Sequence, residues 1–289
     1  IDDTNYQGPE KSMLRIGVDV LPAIPKDTTD RNRTSPLAFT GNKFELRMLG
    51  SSQSIAEPNI ALNTIMAEEL SRFADILEAA ENFDQALHDL VRDAFSKHQR
   101  ILFNGNGYSM EWKEEAVRRG LSDLPSTAVC LPTMISQKNI DLVVRHGIYT
   151  EPEFRARYAI YLDAYNKIVG IEAKTMIDMA IHQILPAAVR YTKDLCDAMN
   201  AKKSCGASCR AESVLIRHLS ANTDALYDGI DALRHALEAL PKEAVEAAQY
   251  NFDTIVPAMN AIRSAADMLE TLTDKSYWPY PTYSDLLFY

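Results

Sequence analysis

From Tyr158 to Met199 apolar residues recur every three or four positions without a break: Tyr158, Leu162, Tyr165, Val169, Ala173, Met176, Ala180, Ile184, Ala188, Tyr191, Leu195 and Met199. That period is the α-helical one, and sustained this far it predicts one long amphipathic helix, bent near Pro186. Thr150 with Glu153 offers a capping box at its start, and Pro152 sits in the first turn, where proline is tolerated. A second stripe follows through Leu215, Leu219, Asn222, Leu226, Ile230, Leu233 and Leu237, stopping at Pro241. A third runs through Val245, Ala248, Phe252, Ile255, Met259, Ile262, Ala266 and Leu269, with Pro257 inside it. A stripe of this kind must be buried, and three long helices with short connections bury theirs against one another as an antiparallel bundle.

The first half reads differently. Gly17–Leu21 and Phe44–Leu49 alternate with period two, which suits half-buried strands, and prolines 22, 25 and 36 punctuate them. In the second run Phe44, Leu46 and Met48 share one face, expected to pack on a core. Lys43, Glu45 and Arg47 share the other, expected to form a polar floor. From Pro58 the period returns to three and four, predicting a helix to about Ala80, with a second over Phe83–Lys97. Ile101-Leu102-Phe103 reads as a short strand ended by Asn104-Gly105-Asn106-Gly107, a plain turn in preference to a phosphate loop. Trp112 to Gly120 reads as a short helix with a glycine stop. Leu121–Ser136, with two prolines, is the expected domain boundary, giving domains over 1–125 and 126–289. The aromatic end, Tyr277 to Tyr289, is expected to dock, on its own domain in preference to a partner. The fold class is α+β, predominantly α.

Composition removes several function classes. A net charge of −10 argues against nucleic-acid binding. There is no apolar run of transmembrane length and no charged-then-apolar leader, so no membrane partner is expected. The sequence starts Ile1-Asp2-Asp3 without Met and is expected to be a piece of a longer chain. Cys130, Cys196, Cys205 and Cys209 suit free thiols in a reducing cytoplasm. Histidines 88, 98, 146, 182, 218 and 235 stand singly, with no His-x-x-x-His pair or nucleophile motif beside them. The acidic surplus falls mostly on helix polar faces, as at Glu68, Glu69, Glu238, Glu243 and Glu246, where solvation is its expected role.

One segment stands apart. Between residues 26 and 59, Arg31, Arg33, Lys43 and Arg47 gather about one carboxylate, Glu45. A carboxylate flanked by cations holds a divalent metal while the cations neutralise phosphate and carboxylate oxygens, with arginine supplying a bidentate fork. The same row also reads as a surface ion-pair ladder of small worth.

Lys26-Asp27-Thr28-Thr29-Asp30-Arg31-Asn32-Arg33-Thr34-Ser35-Pro36, Gly41-Asn42-Lys43-Phe44-Glu45-Leu46-Arg47 and Gly50-Ser51-Ser52-Gln53-Ser54 resemble glutamine synthetase of the long type III form. Asn104-Gly105-Asn106-Gly107-Tyr108-Ser109 and Trp278-Pro279-Tyr280-Pro281-Thr282-Tyr283 resemble its later part, so the likeness spans nearly the whole chain. The resemblance implies a ligase that joins ammonia to glutamate, using ATP and two divalent metals, Mg or Mn, through a γ-glutamyl phosphate. It implies a ring-like cytoplasmic homo-oligomer. By resemblance Arg33 contacts nucleotide phosphates, Lys43 serves the phosphates, Glu45 is a metal ligand, and Arg47 lies near the substrate glutamate and the transferred phosphate. The family's other metal-ligand glutamates and its metal-binding histidine have no match here. The expectation is therefore a carboxy-terminal portion that is inactive alone: a partial catalytic unit with few short strands, then the bundle. The rival readings are a non-catalytic helical assembly module and, more remotely, a regulatory domain for a phosphate ligand.

Overall fold

A computed structural model of the chain describes residues 13–14, 24–25, 37–39, 43–48, 50, 53–103 and 105–287. Two compact units result, one of Ile1–Leu124 with Arg145–Ile148, the other of Pro125–Val144 with Tyr149–Tyr289. The chain is mainly helical, with small two-stranded sheets in the first unit.

In the first unit β1 (Met13–Leu14) pairs antiparallel with β2 (Ile24–Pro25), and β3 (Leu37–Phe39) with β4 (Phe44–Leu46). The strand expected over Gly17–Leu21 lies outside the described residues. Helix α1 (Ala56–Glu78) begins two residues before Pro58, so the missing proline N–H falls among the first-turn donors that lack partners anyway. Asn82 caps α2 (Phe83–Lys97), accepting from Gln85 N at 3.1 Å. Ser109 caps α3 (Met110–Arg118) through the Trp112 amide.

The strand expected at Ile101–Phe103 does not form. Gln99–Ile101 is a 3₁₀ turn instead, and the Arg119 guanidinium takes the carbonyls of Arg100 and Leu102 at 3.2 and 2.6 Å. Those are acceptors that a strand would offer to a neighbour. Phe103 stacks on Trp112 with centroids 4.6 Å apart, and the Arg119 guanidinium lies 5.5 Å from the same indole. Gly105 follows because a Cβ there would stand 2.6 Å from the Phe103 ring. The turn itself is closed by Asn106, whose side-chain oxygen accepts from Tyr108 N at 3.1 Å.

The second unit opens with two short helices that the sequence reading did not name, α4 (Thr127–Met134) and α5 (Gln137–Arg145). Ser126 caps α4, and Pro132 falls inside it. Ala128 of α4 is buried against Leu162 and Ala248, which come from the long helices described next. The main helix starts as expected: Thr150 and Glu153 form the full capping box of α6 (Glu151–Met179). It continues through a π-helical turn, Ala180–Ile184, into α7 (Leu185–Ser204). After α8 (Arg210–Glu238), α9 (Ala244–Tyr250) passes through a second π turn, Asn251–Ile255, into α10 (Val256–Leu272). A short α11 (Tyr283–Leu287) follows.

The two π turns share one cause. In each, an amide reaches back five residues, Leu185 N to Ala180 O and Val256 N to Asn251 O, and the next residue is Pro186 or Pro257. Proline has no N–H, and its ring collides with the carbonyl four residues back in an α-helix. The wider turn relieves that collision without ending the helix, so the bend expected near Pro186 takes this form.

Helix α8 packs against both α7 and α10. Its stripe residues Leu219, Leu226, Ile230 and Leu233 are at most 1% exposed. Alanines 173, 180, 188, 265 and 266 line the same core, and small side chains there let the helices approach closely. One close approach is at Gly229 of α8, where a Cβ would stand 3.0 Å from Ile262 Cγ1. Trp278 and Tyr280 of the aromatic end pack on this core, and the Tyr277 ring meets Tyr191 at a tilt of 51° while its hydroxyl donates to Asp194. The end therefore docks on its own bundle.

Candidate functional site

The register of the β3–β4 hairpin sets Ala38 opposite Glu45 and Leu37 opposite Leu46. Side chains alternate along a strand, so Glu45 and Arg47 fall on one face, as the sequence predicts. Arg47 Nη2 meets Glu45 Oε2 at 3.0 Å. Both side chains are roughly three-quarters buried, with exposures of 27% and 28%, and Ala38 across the hairpin is fully buried. Lys43, immediately before β4, is exposed.

The burial of the two faces is the reverse of the expectation. The apolar face is uncovered: Phe44 is 69% exposed, Met48 64%, Leu37 50% and Leu46 42%. The charged face is the half-buried one. Alternation determines which side chains share a face, but what covers that face is a tertiary matter.

Of the four candidate residues, Arg47 and Glu45 are brought into direct contact and Lys43 immediately precedes β4. Arg33, with Arg31, lies outside the described residues. A half-buried carboxylate–guanidinium pair keeps its charges where solvent screens them less than at the surface. A divalent cation needs more oxygen ligands than one carboxylate supplies. Among the described residues no three His, Cys, Asp or Glu side chains are placed to hold a metal, so these residues do not by themselves fit a two-metal centre.

Two further polar clusters in the first unit escaped the sequence reading. Glu115 takes both Arg118 and Arg119, and those guanidinium groups, Arg118 first, hold its carboxyl down at about 2. Its i,i+3 and i,i+4 spacing was a local signal. Glu68 of α1 takes His146 Nε2 at 2.8 Å and the Arg145 guanidinium, and the His146 hydrogen bond is the main reason its carboxyl sits below the usual range. His146 lies 78 positions away, so no spacing rule reaches it. The four cysteines are free thiols. Among the described residues no helix is long and apolar enough to cross a membrane.

Residues 86–203 match the family described as the glutamine synthetase C-terminal domain. The chain is 36% identical over its full length to the type-3 glutamine synthetase of Dictyostelium discoideum, covering 41% of that protein. It is 36% identical to a glutamine synthetase of Butyrivibrio fibrisolvens, over 91% of the chain and 38% of the relative. For a glutamine synthetase of Bacteroides fragilis (strain YCH46) the identity is 33%, over 96% of the chain and 40% of the relative. Residues 86–203 are thus similar to a glutamine synthetase C-terminal domain, and the chain spans about two fifths of the length of the curated glutamine synthetases it matches, one of them of type 3.

Proposed function

We propose that this chain is the carboxy-terminal portion of a type III glutamine synthetase. The full enzyme then joins ammonia to the γ-carboxylate of glutamate, using ATP and Mg or Mn through a γ-glutamyl phosphate. The observation that carries this reading is identity to glutamine synthetases along the chain, together with a co-facial Glu45–Arg47 pair on the motif strand. Residues 1–125 form the carboxy-terminal part of the catalytic domain, and residues 126–289 form a helical bundle domain.

In that enzyme Glu45 is one ligand of a divalent metal whose other ligands come from elsewhere in the protein. Arg33 and Lys43 neutralise nucleotide phosphates, and Arg47 orients Glu45 and faces the substrate glutamate and the transferring phosphate. Cations fixed where charge gathers stabilise phosphoryl transfer with little reorganisation. The enzyme works as a ring-like homo-oligomer in the cytoplasm. The 289-residue chain by itself is inactive, since a lone carboxylate does not assemble a two-metal site.

Glu45→Ala in the full enzyme is the test: metal-dependent turnover falls by orders of magnitude with the oligomer intact. Near-normal turnover would remove Glu45 from the site. ATP-dependent glutamine formation by the isolated chain would overturn its proposed inactivity.

The assembly reading has one specific support. Ile160, Ile168 and Ile171 of α6 are 63%, 51% and 64% exposed and lie on one side of the helix, a surface suited to contacts between subunits. The aromatic end is committed to its own bundle and does not supply that surface.

A further inference from the structure

A cavity of about 540 Å³ opens in the second unit between α6, the first π turn, α10 and the aromatic end. Its size is that of a small-molecule site, since such pockets run to roughly 300–1,000 Å³. Three methionines, Met176, Met179 and Met259, line it, and these flexible thioethers adapt to ligands of varied outline. Trp278 and Tyr280 form another part of its wall. The Tyr280 hydroxyl is sealed from solvent and has no hydrogen-bond partner among the described residues.

The charge of the lining selects the ligand. Glu172, Asp267 and Glu270 supply three carboxylates against one cation, Arg263, which already meets Asp267 at 2.7 Å. The balance is negative, and a walled apolar cleft strengthens its effect on a charged guest.

We infer that this cleft binds a small apolar amine, its ring or chain among the methionines and its ammonium group against the carboxylates. Neutral and anionic molecules of the same outline are weaker ligands. The inference uses only the second unit and stands apart from the ligase chemistry, so failure of either leaves the other untouched.

The test uses 1-naphthylmethylamine, a cation at neutral pH, and 1-naphthaleneacetate, an anion with the same ring, titrated calorimetrically into the intact chain. The amine binds one per chain and at least tenfold more tightly than the acid. Glu270→Gln narrows that preference several-fold. Ile171 lines the mouth and is 64% exposed, so Ile171→Trp obstructs entry without disturbing the core and lowers affinity at least tenfold at unchanged helicity. Equal binding of amine and acid, absence of amine binding, or an affinity untouched by Ile171→Trp would overturn the inference. Self-association that is lost in Ile171→Trp, with no amine bound, would assign the cleft to a second copy of the chain and overturn it equally.

Discussion

Gly229 decides how closely α8 lies on α10, and replacing it with alanine sets two terms of known sign against each other. An exposed helical site would gain about 0.8–1.0 kcal/mol from glycine to alanine. Here the new Cβ stands 3.0 Å from Ile262 Cγ1, while the Ile262 N and Cα atoms lie at a comfortable 3.7 Å. Ile262 is 1% exposed, and its branched side chain is stiff about χ1, so it has little room to yield. Overpacking of this kind costs about 1–3 kcal/mol, so Gly229→Ala is expected to destabilise the bundle by about 1 kcal/mol net. Ile262→Ala alone costs about 2–5 kcal/mol through the cavity it leaves. With Ile262 truncated the clash is gone, and Gly229→Ala then stabilises by about 1 kcal/mol.

The sign change is the diagnostic. Urea unfolding is followed by the fluorescence of Trp278, which packs on this core, in a chain carrying Trp112→Phe to silence the other tryptophan. A Gly229→Ala effect of the same sign and size in both backgrounds would refute the close-approach argument. So would stabilisation by the single change.

Two further outcomes are expected. Asp285 is held by Lys275 first and then by the Thr282 amide and hydroxyl, which bring its carboxyl from 3.8 down to about 2. A depressed folded value means that the contact contributes its stability above the unfolded value and loses it as pH falls from about 4 through about 2. A Trp278 fluorescence step in that window, absent in Asp285→Asn, is the readout, and an identical acid profile in the variant would refute it. Thr150→Ala removes the α6 capping box and should cost about 1 kcal/mol in urea unfolding, with Thr150→Ser restoring most of it. An unchanged midpoint would refute it.

The strand motif shows where the sequence reading of the site reaches and where it stops. Period two placed Glu45 and Arg47 on one face, and the structure closes a 3.0 Å contact between them. It left open whether that face is covered, and the structure half-buries it while leaving Phe44 and Met48 in the open. The roles proposed for Arg33, Lys43, Glu45 and Arg47 rest on family likeness, since charge alone also fits an ion-pair ladder.

The long helices were legible because their information is local. Three-and-four spacing names the buried face, and Thr150 with Glu153 names the start, whatever the chain does elsewhere. α4 was missed because its buried residue, Ala128, is covered by Leu162 and Ala248, distant residues that no local period announces; α5 carries its signal in the sequence, with Ile140, Val143 and Val144 at helical spacing. Ile101–Phe103 looked like a strand by composition, but Arg119 holds the Leu102 carbonyl and that of Arg100 beside it. Proline marked where the helices must yield, and only packing decided that they yield by a π turn instead of stopping. Asn166 and Asn251 likewise meet at 3.0 Å across 85 positions, one of them 1% exposed. By itself the sequence determined the helices and their inward faces, because periodicity and capping act within a few turns. Tertiary structure decided which surfaces are covered, where the aromatic end lies and which polar groups meet, because those depend on atoms brought together only when the chain closes on itself.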